Sequence, residues 1–155
     1  MSCWKTAFAV AFTFYFAQTV VSAEQPGTTK IKIEETEKFG AYFSDATGQA
    51  LYLSTADKQG KGRTKAESNC YDACAKAWPP LLTKEKPSAS SKRVQESLLG
   101  TIKRKDGATQ VTYNGWPLYY FVKDKGKGEA TGQDVHSFGG EWYLLQPQGT
   151  KVTEK

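Results

Sequence analysis

Residues 110–121 read QVTYNGWPLYYF, and this stretch decides the fold. Asn114-Gly115 stands between two runs of β-branched and aromatic residues. That is the strongest short-range hairpin signal, because both turn residues of such a hairpin must take positive φ. Pro117 has no N–H to give a ladder, so its strand begins at an edge or turns that position away from its partner. Side chains alternate along a strand, which puts Tyr119 and Phe121 on one face and Trp116, Leu118 and Tyr120 on the other. Both faces are apolar, so both are expected to be covered.

The stretch has a counterpart upstream. GWPLYYFVKDKGKGE (115–129) overlays GQALYLSTADKQGKG (48–62) at a shift of 67, bringing Leu118 onto Leu51, Tyr119 onto Tyr52, Asp124 onto Asp57 and Lys125 onto Lys58. Trp142 answers Trp78 at a shift of 64, so a three-residue length change lies between. Two copies are too few for a solenoid and are expected to share one core. The first copy forms its own hairpin through AYFS-DATG-QALYLS (41–54). TKIKIEE (29–35) alternates as a half-buried strand should, and LLGTIKRK (98–105) and EWYLLQ (141–146) read as further short strands. Helix signals are fewer: CYDACAKAW (70–78), capped by Ser68 or Asn69 and ended by Pro79-Pro80, and SSKRVQESL (90–98), capped by Ser90 or Ser91. KEKPSASS (84–91) and KDKGKGEATGQD (123–134) are loops. The fold class is mainly β (α+β), with antiparallel hairpins from two tandem repeats and one or two short helices.

Met1–Lys5 carries one positive charge, residues 6–23 (TAFAVAFTFYFAQTVVSA) carry none, and Val21-Ser22-Ala23 closes the segment. A basic start, an apolar middle and a small-x-small ending describe a secretory signal peptide over residues 1–23. Thr13, Gln18 and Thr19 weaken the rival reading as a membrane span. Cleavage leaves 132 residues, enough for one core. Within them the sequence divides into an N-terminal strand or linker (24–38), one domain (39–149) of two repeats at about 39–83 and 98–149, and a tail (150–155). No later stretch is apolar enough to span a membrane, and the expected location is periplasmic or secreted. The net charge is +5, but the basic residues are spread as TKEK, KRK and KDKGKGE among acids and glycines. That is the distribution of solvated loops rather than of a nucleic-acid site, leaving at most a weak attraction to an anionic envelope surface.

Tyr119-Tyr-Phe-Val-Lys-Asp124, taken with CYDACAKAWPPLL (70–82), YNGWPLYYF (113–121) and GGEWYLLQPQG (139–149), resembles the bacterial secreted-repeat family of predicted lipoproteins with a YxFxxD-type motif. The resemblance implies an exported bacterial protein of two tandem repeats, with no established activity. Two departures stand out. Ser54 takes the aromatic position of the first copy, and no cysteine stands just after the apolar leader, Cys3 preceding it, so this chain is expected to be released rather than lipid-anchored.

Cys70 and Cys74 are the two cysteines of the mature chain, and an oxidising compartment with an even count favours a disulfide. On a regular helix, positions i and i+4 hold their Cβ atoms about 5–6 Å apart, too far for a bridge. A disulfide there needs an irregular turn and is expected to be strained and easily reduced. Two free thiols, or a metal or cofactor site with His136 and a carboxylate, are the alternatives. CxxC and CxxCH spacings are absent, so no cofactor is expected.

Trp78, Trp116, Tyr119, Phe121 and Trp142 read first as core; the functional alternative is an aromatic groove, with Asp124, that stacks a sugar, a porphyrin or a peptide. Asp57 and Asp124 follow their strands at matching places and read as caps on turn N–H groups, with Asn114 and Gly115 as turn residues. Paired acid–base carboxylates are the alternative. No triad order, GxSxG, HExxH or phosphate loop is present. These features describe an exported, non-enzymatic binding or structural module for an unknown envelope partner or small ligand, the runner-up being a redox or cofactor accessory built on Cys70 and Cys74.

Overall fold

A computed structural model of the protein describes Met1 and residues 29–153; the leader read over residues 1–23 lies, past Met1, outside the described residues. The chain runs through β1 (Lys30–Thr36), β2 (Gly40–Ser44), β3 (Tyr52–Ser54), α1 (Asp72–Ala77), β4 (Ser88–Ala89), β5 (Leu99–Lys103), β6 (Thr109–Tyr113), β7 (Trp116–Pro117), β8 (Val135–Ser137) and β9 (Gly140–Leu144). It is mainly β, and α1 is the single α-helix among the described residues.

The hairpin at residues 110–121 forms as its turn chemistry requires. Asn114 and Gly115 both have positive φ, 48° and 76°, and Tyr113 faces Trp116 across the turn. Leu118 rather than Pro117 donates the N–H that reaches Val111 O, at 3.0 Å. The proline therefore costs the ladder nothing.

The duplication extends through the backbone register. Leu51 N–H donates to Phe43 O as Leu118 N–H donates to Val111 O. Phe43 N–H reaches Leu145 O and Val111 N–H reaches Leu81 O, both at 2.9 Å. Ile33 faces Phe43 across β1–β2 and Thr101 faces Val111 across β5–β6. In copy one, then, β1, β2 and the strand through Tyr52 stand where β5, β6 and the strand through Tyr119 stand in copy two.

The two copies interleave. Tyr52 and Tyr119 exchange a reciprocal pair of backbone hydrogen bonds, 2.9 Å each way, and mark a pseudo-twofold axis. Outward from it, β3 of copy one pairs with β9 of copy two, Tyr52 opposite Leu144 and Ser54 opposite Trp142. Symmetrically, Tyr119 of copy two pairs with Pro80 of copy one, with Tyr120 N–H donating to Pro79 O and Leu81 N–H to Leu118 O. Each copy's hairpin strand is thus bordered by the other copy's closing strand. Neither copy can satisfy its own ladder alone.

This interleaved layer has a packed face on each side. Tyr42, Tyr52, Trp78, Tyr119, Phe121, Trp142 and Leu144 fill one. Phe43, Leu51, Leu53, Val111, Tyr113, Leu118 and Leu145 fill the other, with Trp116 and Tyr120 packed against them. Strand alternation alone divides Tyr119 and Phe121 from Leu118 and Tyr120 in this way.

Three local expectations need correction. Residues 90–98 form bends and one 3-10 turn at Glu96–Leu98 instead of a second helix. Val94 is buried in the core, and Gln95 N–H is taken by Tyr113 Oη at 3.1 Å, which interrupts any helical run through the segment. Helix α1 is entered through Tyr71, with no side-chain cap, rather than through Ser68 or Asn69. Arg104 of KRK is not on a solvated loop; it is 5% exposed.

Candidate functional site

The tyrosines and aspartates of the two motifs meet across the pseudo-twofold axis. Tyr52 Oη donates to Asp124 Oδ2 at 2.6 Å, and Tyr119 Oη donates to Asp57 Oδ2 at 2.6 Å. Each tyrosine therefore pairs with the aspartate of the other copy. All four side chains are buried. Each aspartate also ties down its own loop. Asp57 Oδ1 accepts Asn69 N–H at 2.7 Å, and Asp124 Oδ1 accepts Thr131 N–H at 2.9 Å and the Thr131 hydroxyl at 2.6 Å. Symmetric loop capping and crossed hydroxyl contacts occupy the same two carboxylates.

The rings between these pairs stack. Trp78 and Trp142 lie face to face, centroids 4.0 Å apart and 3° from parallel. Phe121 extends the stack on the far side of Trp78, also at 4.0 Å. Tyr52 and Tyr119 each set an edge against one indole. Ser54, buried opposite Trp142, occupies the place Phe121 holds in copy two, and its Oγ accepts Ala56 N–H at 3.3 Å. Trp78 is 1%, Tyr119 0%, Phe121 6%, Asp124 4% and Trp142 1% exposed, so no open stacking groove runs along these residues. Trp116 lies partly exposed on the opposite core.

The two pockets differ in their second ring of residues. Around Asp57, Arg104 Nη1 donates to Ser68 Oγ at 2.8 Å and to Gln110 Oε1 at 2.7 Å, and Nη2 donates to Cys70 O at 2.7 Å. Ser68 Oγ lies 2.7 Å from Tyr119 Oη. A hydroxyl has one proton, so with the Tyr119 proton directed at Asp57 the Ser68 hydroxyl donates to Tyr119. A directed chain then runs from the Arg104 cation through Ser68 and Tyr119 to the Asp57 carboxylate. Around Asp124, Tyr42 takes the register position of Gln110, and its hydroxyl is buried with no hydrogen-bond partner among the described residues. Ser68, Arg104 and Gln110 are the residues that sequence reading missed. Their separations along the chain give no local signal, and only the buried position of Arg104 distinguishes it from the surface lysines beside it.

Burial governs the ionisation here. Loss of solvent is the largest influence on Asp57 and lifts it from 3.8 to about 6, outweighing Asn69 N–H, the Tyr119 hydroxyl and Arg104, which all pull it down. Burial likewise raises both motif tyrosines, helped by their aspartate partners. A carboxyl with a raised folded pKa adds stability that is complete below about pH 4 and lost as pH rises through about 6. From Asp57, wild-type protein is expected to be more stable at pH 4.5 than at pH 7 by about 2 kcal/mol. In Asp57→Asn that part of the difference disappears. Melting curves of the two proteins across this pH range measure it.

Cys70 and Cys74 form a disulfide, Cα atoms 5.1 Å apart. The objection from regular helix geometry is met because Cys70 precedes the helix. Tyr71 is extended, at φ −133°, and Asp72 has positive φ, 48°, so the chain bends sharply between the two cysteines. Both residues are buried, 2% and 8% exposed. No group of three or more His, Cys, Asp and Glu side chains that could hold a metal occurs among the described residues, and no helix among them is long and apolar enough to cross a membrane.

These features define a class: a duplicated, mainly-β domain whose copies exchange strands and share one crossed set of tyrosines and aspartates. Residues 100–146 match the family model of a secreted repeat of unknown function, the family that the YxFxxD-type motifs resemble. The match falls on copy two, and copy one is tied to it by the register equivalences above. No curated protein and no solved structure matches the chain.

Proposed function

We propose that this protein is an exported, non-catalytic binding module, periplasmic or released. In this reading its motif residues build the fold, and its exposed strands and loops make the contacts. The observation that carries it is the reciprocal burial of Tyr52 with Asp124 and of Tyr119 with Asp57. Carboxylates already shared between a loop N–H and a buried hydroxyl have no approach for a substrate. The secreted character of the matched family supports export.

The test is titration of isotope-labelled protein with envelope extract, followed by amide shifts. Perturbation of exposed β-edges and lysine loops is the expected result. Turnover of a substrate, abolished by changes at Asp57 or Asp124 that leave the fold intact, overturns the reading.

The buried disulfide favours a structural role over a redox one, since exchange requires a thiolate to reach a sulfur. In the native protein neither cysteine is expected to be alkylated after mild reductant treatment, and both are expected to be modified once denaturant is added. Intact mass before and after alkylation measures this directly. Rapid native-state labelling is the result that would restore a redox function.

A further inference from the structure

The duplication contains a comparison of its own. Strand β1 has β2 on one edge and β4, running parallel, on the other, with Ile31 beside Ala89 and Ser90 N–H donating to Ile31 O at 2.9 Å. Its counterpart β5 has β6 on one edge and, among the described residues, no strand on the other. The register shows which groups are left over. Asn114 N–H donates to Leu98 O and Arg104 N–H to Ala108 O, so in this antiparallel pair Leu99, Thr101 and Lys103 turn their backbone groups away from β6. Leu99 N–H is used by the preceding 3-10 turn. Among the described residues, Leu99 O and the N–H and C=O of Thr101 and Lys103 remain as a template for strand pairing.

The surroundings suit a peptide. A groove of about 430 Å³ borders one face of this edge between Leu99 and the Lys84-Glu85-Lys86 segment, whose two lysines outnumber its one carboxylate. A second, of about 580 Å³, borders the other between Lys65, Ile102 and Lys103. Gly100, without a side chain, lines both. An added strand sends alternate side chains to the two faces, and on each face they would meet exposed lysines.

We propose that the free edge of β5 binds an extended acidic peptide segment of a partner protein as an added parallel strand, as β4 binds β1. Main-chain hydrogen bonds would supply affinity and the lysine-flanked grooves specificity, the general logic of strand addition. The proposal rests on the reading of the protein as a binding module. A partner bound elsewhere would leave that reading standing and remove this one.

The experiment uses the full mature chain and two capped probes of about eight residues, one alternating Glu with Val, the other Lys with Val. Amide shifts and hydrogen exchange are followed by NMR. The acidic probe is expected to shift Thr101 and Lys103, slow their exchange and bind at least about tenfold more tightly than the basic one, a difference of about 1.4 kcal/mol. Thr101→Pro, which removes an outward N–H, should abolish binding. Should that variant fold poorly, the surface pair Lys84→Glu with Lys86→Glu should reverse the charge preference with the fold intact. Equal binding of both probes, shifts confined to other surfaces, or an edge already closed by a second copy of this chain in solution would each overturn the proposal.

Discussion

Gly115→Ala is expected to destabilise the protein more than any other methyl-sized change, by roughly 3–5 kcal/mol. A Cβ built on Gly115 would stand 2.0 Å from Gly60 O and 2.8 Å from Gly60 N and C. These are backbone atoms and cannot swing aside. Gly60 N–H also donates to Gly115 O at 3.0 Å, so relieving the clash breaks a bond between the copies. The positive φ of 76° adds a conformational cost for any side chain. Thermal unfolding of the variant should drop by tens of degrees or leave no folded protein. A loss below about 1 kcal/mol, no more than the φ cost alone, would show that the hairpin tip and the Gly60 loop are not packed as described. Gly62→Ala is the control for φ, since it shares the left-handed conformation at 57° but meets nothing within 4 Å among the described residues.

Removing the carboxylate of Asp124 is the second large effect. Asp124→Ala leaves the Tyr52 hydroxyl, Thr131 N–H and the Thr131 hydroxyl without their acceptor. The buried Tyr52 hydroxyl stripped of its partner costs about 1–3 kcal/mol, while the exposed Thr131 can turn to water, so the total should be about 2–3 kcal/mol. Tyr52→Phe removes the donor to Asp124 and the acceptor of Gly132 N–H, leaves the Asp124–Thr131 contacts in place, and should cost less. The informative quantity is the double variant. If the hydroxyl and the carboxylate act as one crossed unit, the combined loss falls short of the summed single losses by about 1–2 kcal/mol, as a chemical-denaturation cycle would report. Full additivity would mean that Tyr52 and Asp124 contribute independently and that the crossing is incidental. Because each such pair joins copy one to copy two, the loss should appear in a single transition for the whole domain and not in one half of it.

Much of the architecture was legible along the chain because its causes are local. Asn114-Gly115 needs only its own two φ angles to announce a hairpin, and the alternation of Leu118, Tyr119, Tyr120 and Phe121 needs only the pleat to assign faces. Copy one and copy two could be aligned because Leu, Tyr and Asp recur at one shift of 67 and Trp follows at 64. The matching places of Asp57 and Asp124 after their strands were legible for the same reason. Where local reasoning failed, a distant contact had overruled it. The helix expected at residues 90–98 yields to Tyr113 and the buried Val94, and the regular geometry assumed between Cys70 and Cys74 yields to the bend at Tyr71 and Asp72.

By itself, then, the sequence determined a duplicated, hairpin-based, mainly-β domain with aromatic faces on both sides of its strands. Only the tertiary structure decided that each tyrosine would meet the other copy's aspartate, 72 and 62 residues away. It also decided that Arg104 would be buried against Ser68 and Gln110 while its lysine neighbours stayed in water, and that β5 would keep an edge which β1 has closed. The physical reason is the same in all three. Propensity, pleat and turn chemistry act over a few residues and are written in order along the chain. The pairing of two near-identical copies depends on which surface each strand finds across the axis, and either copy's own sequence is compatible with both itself and its twin.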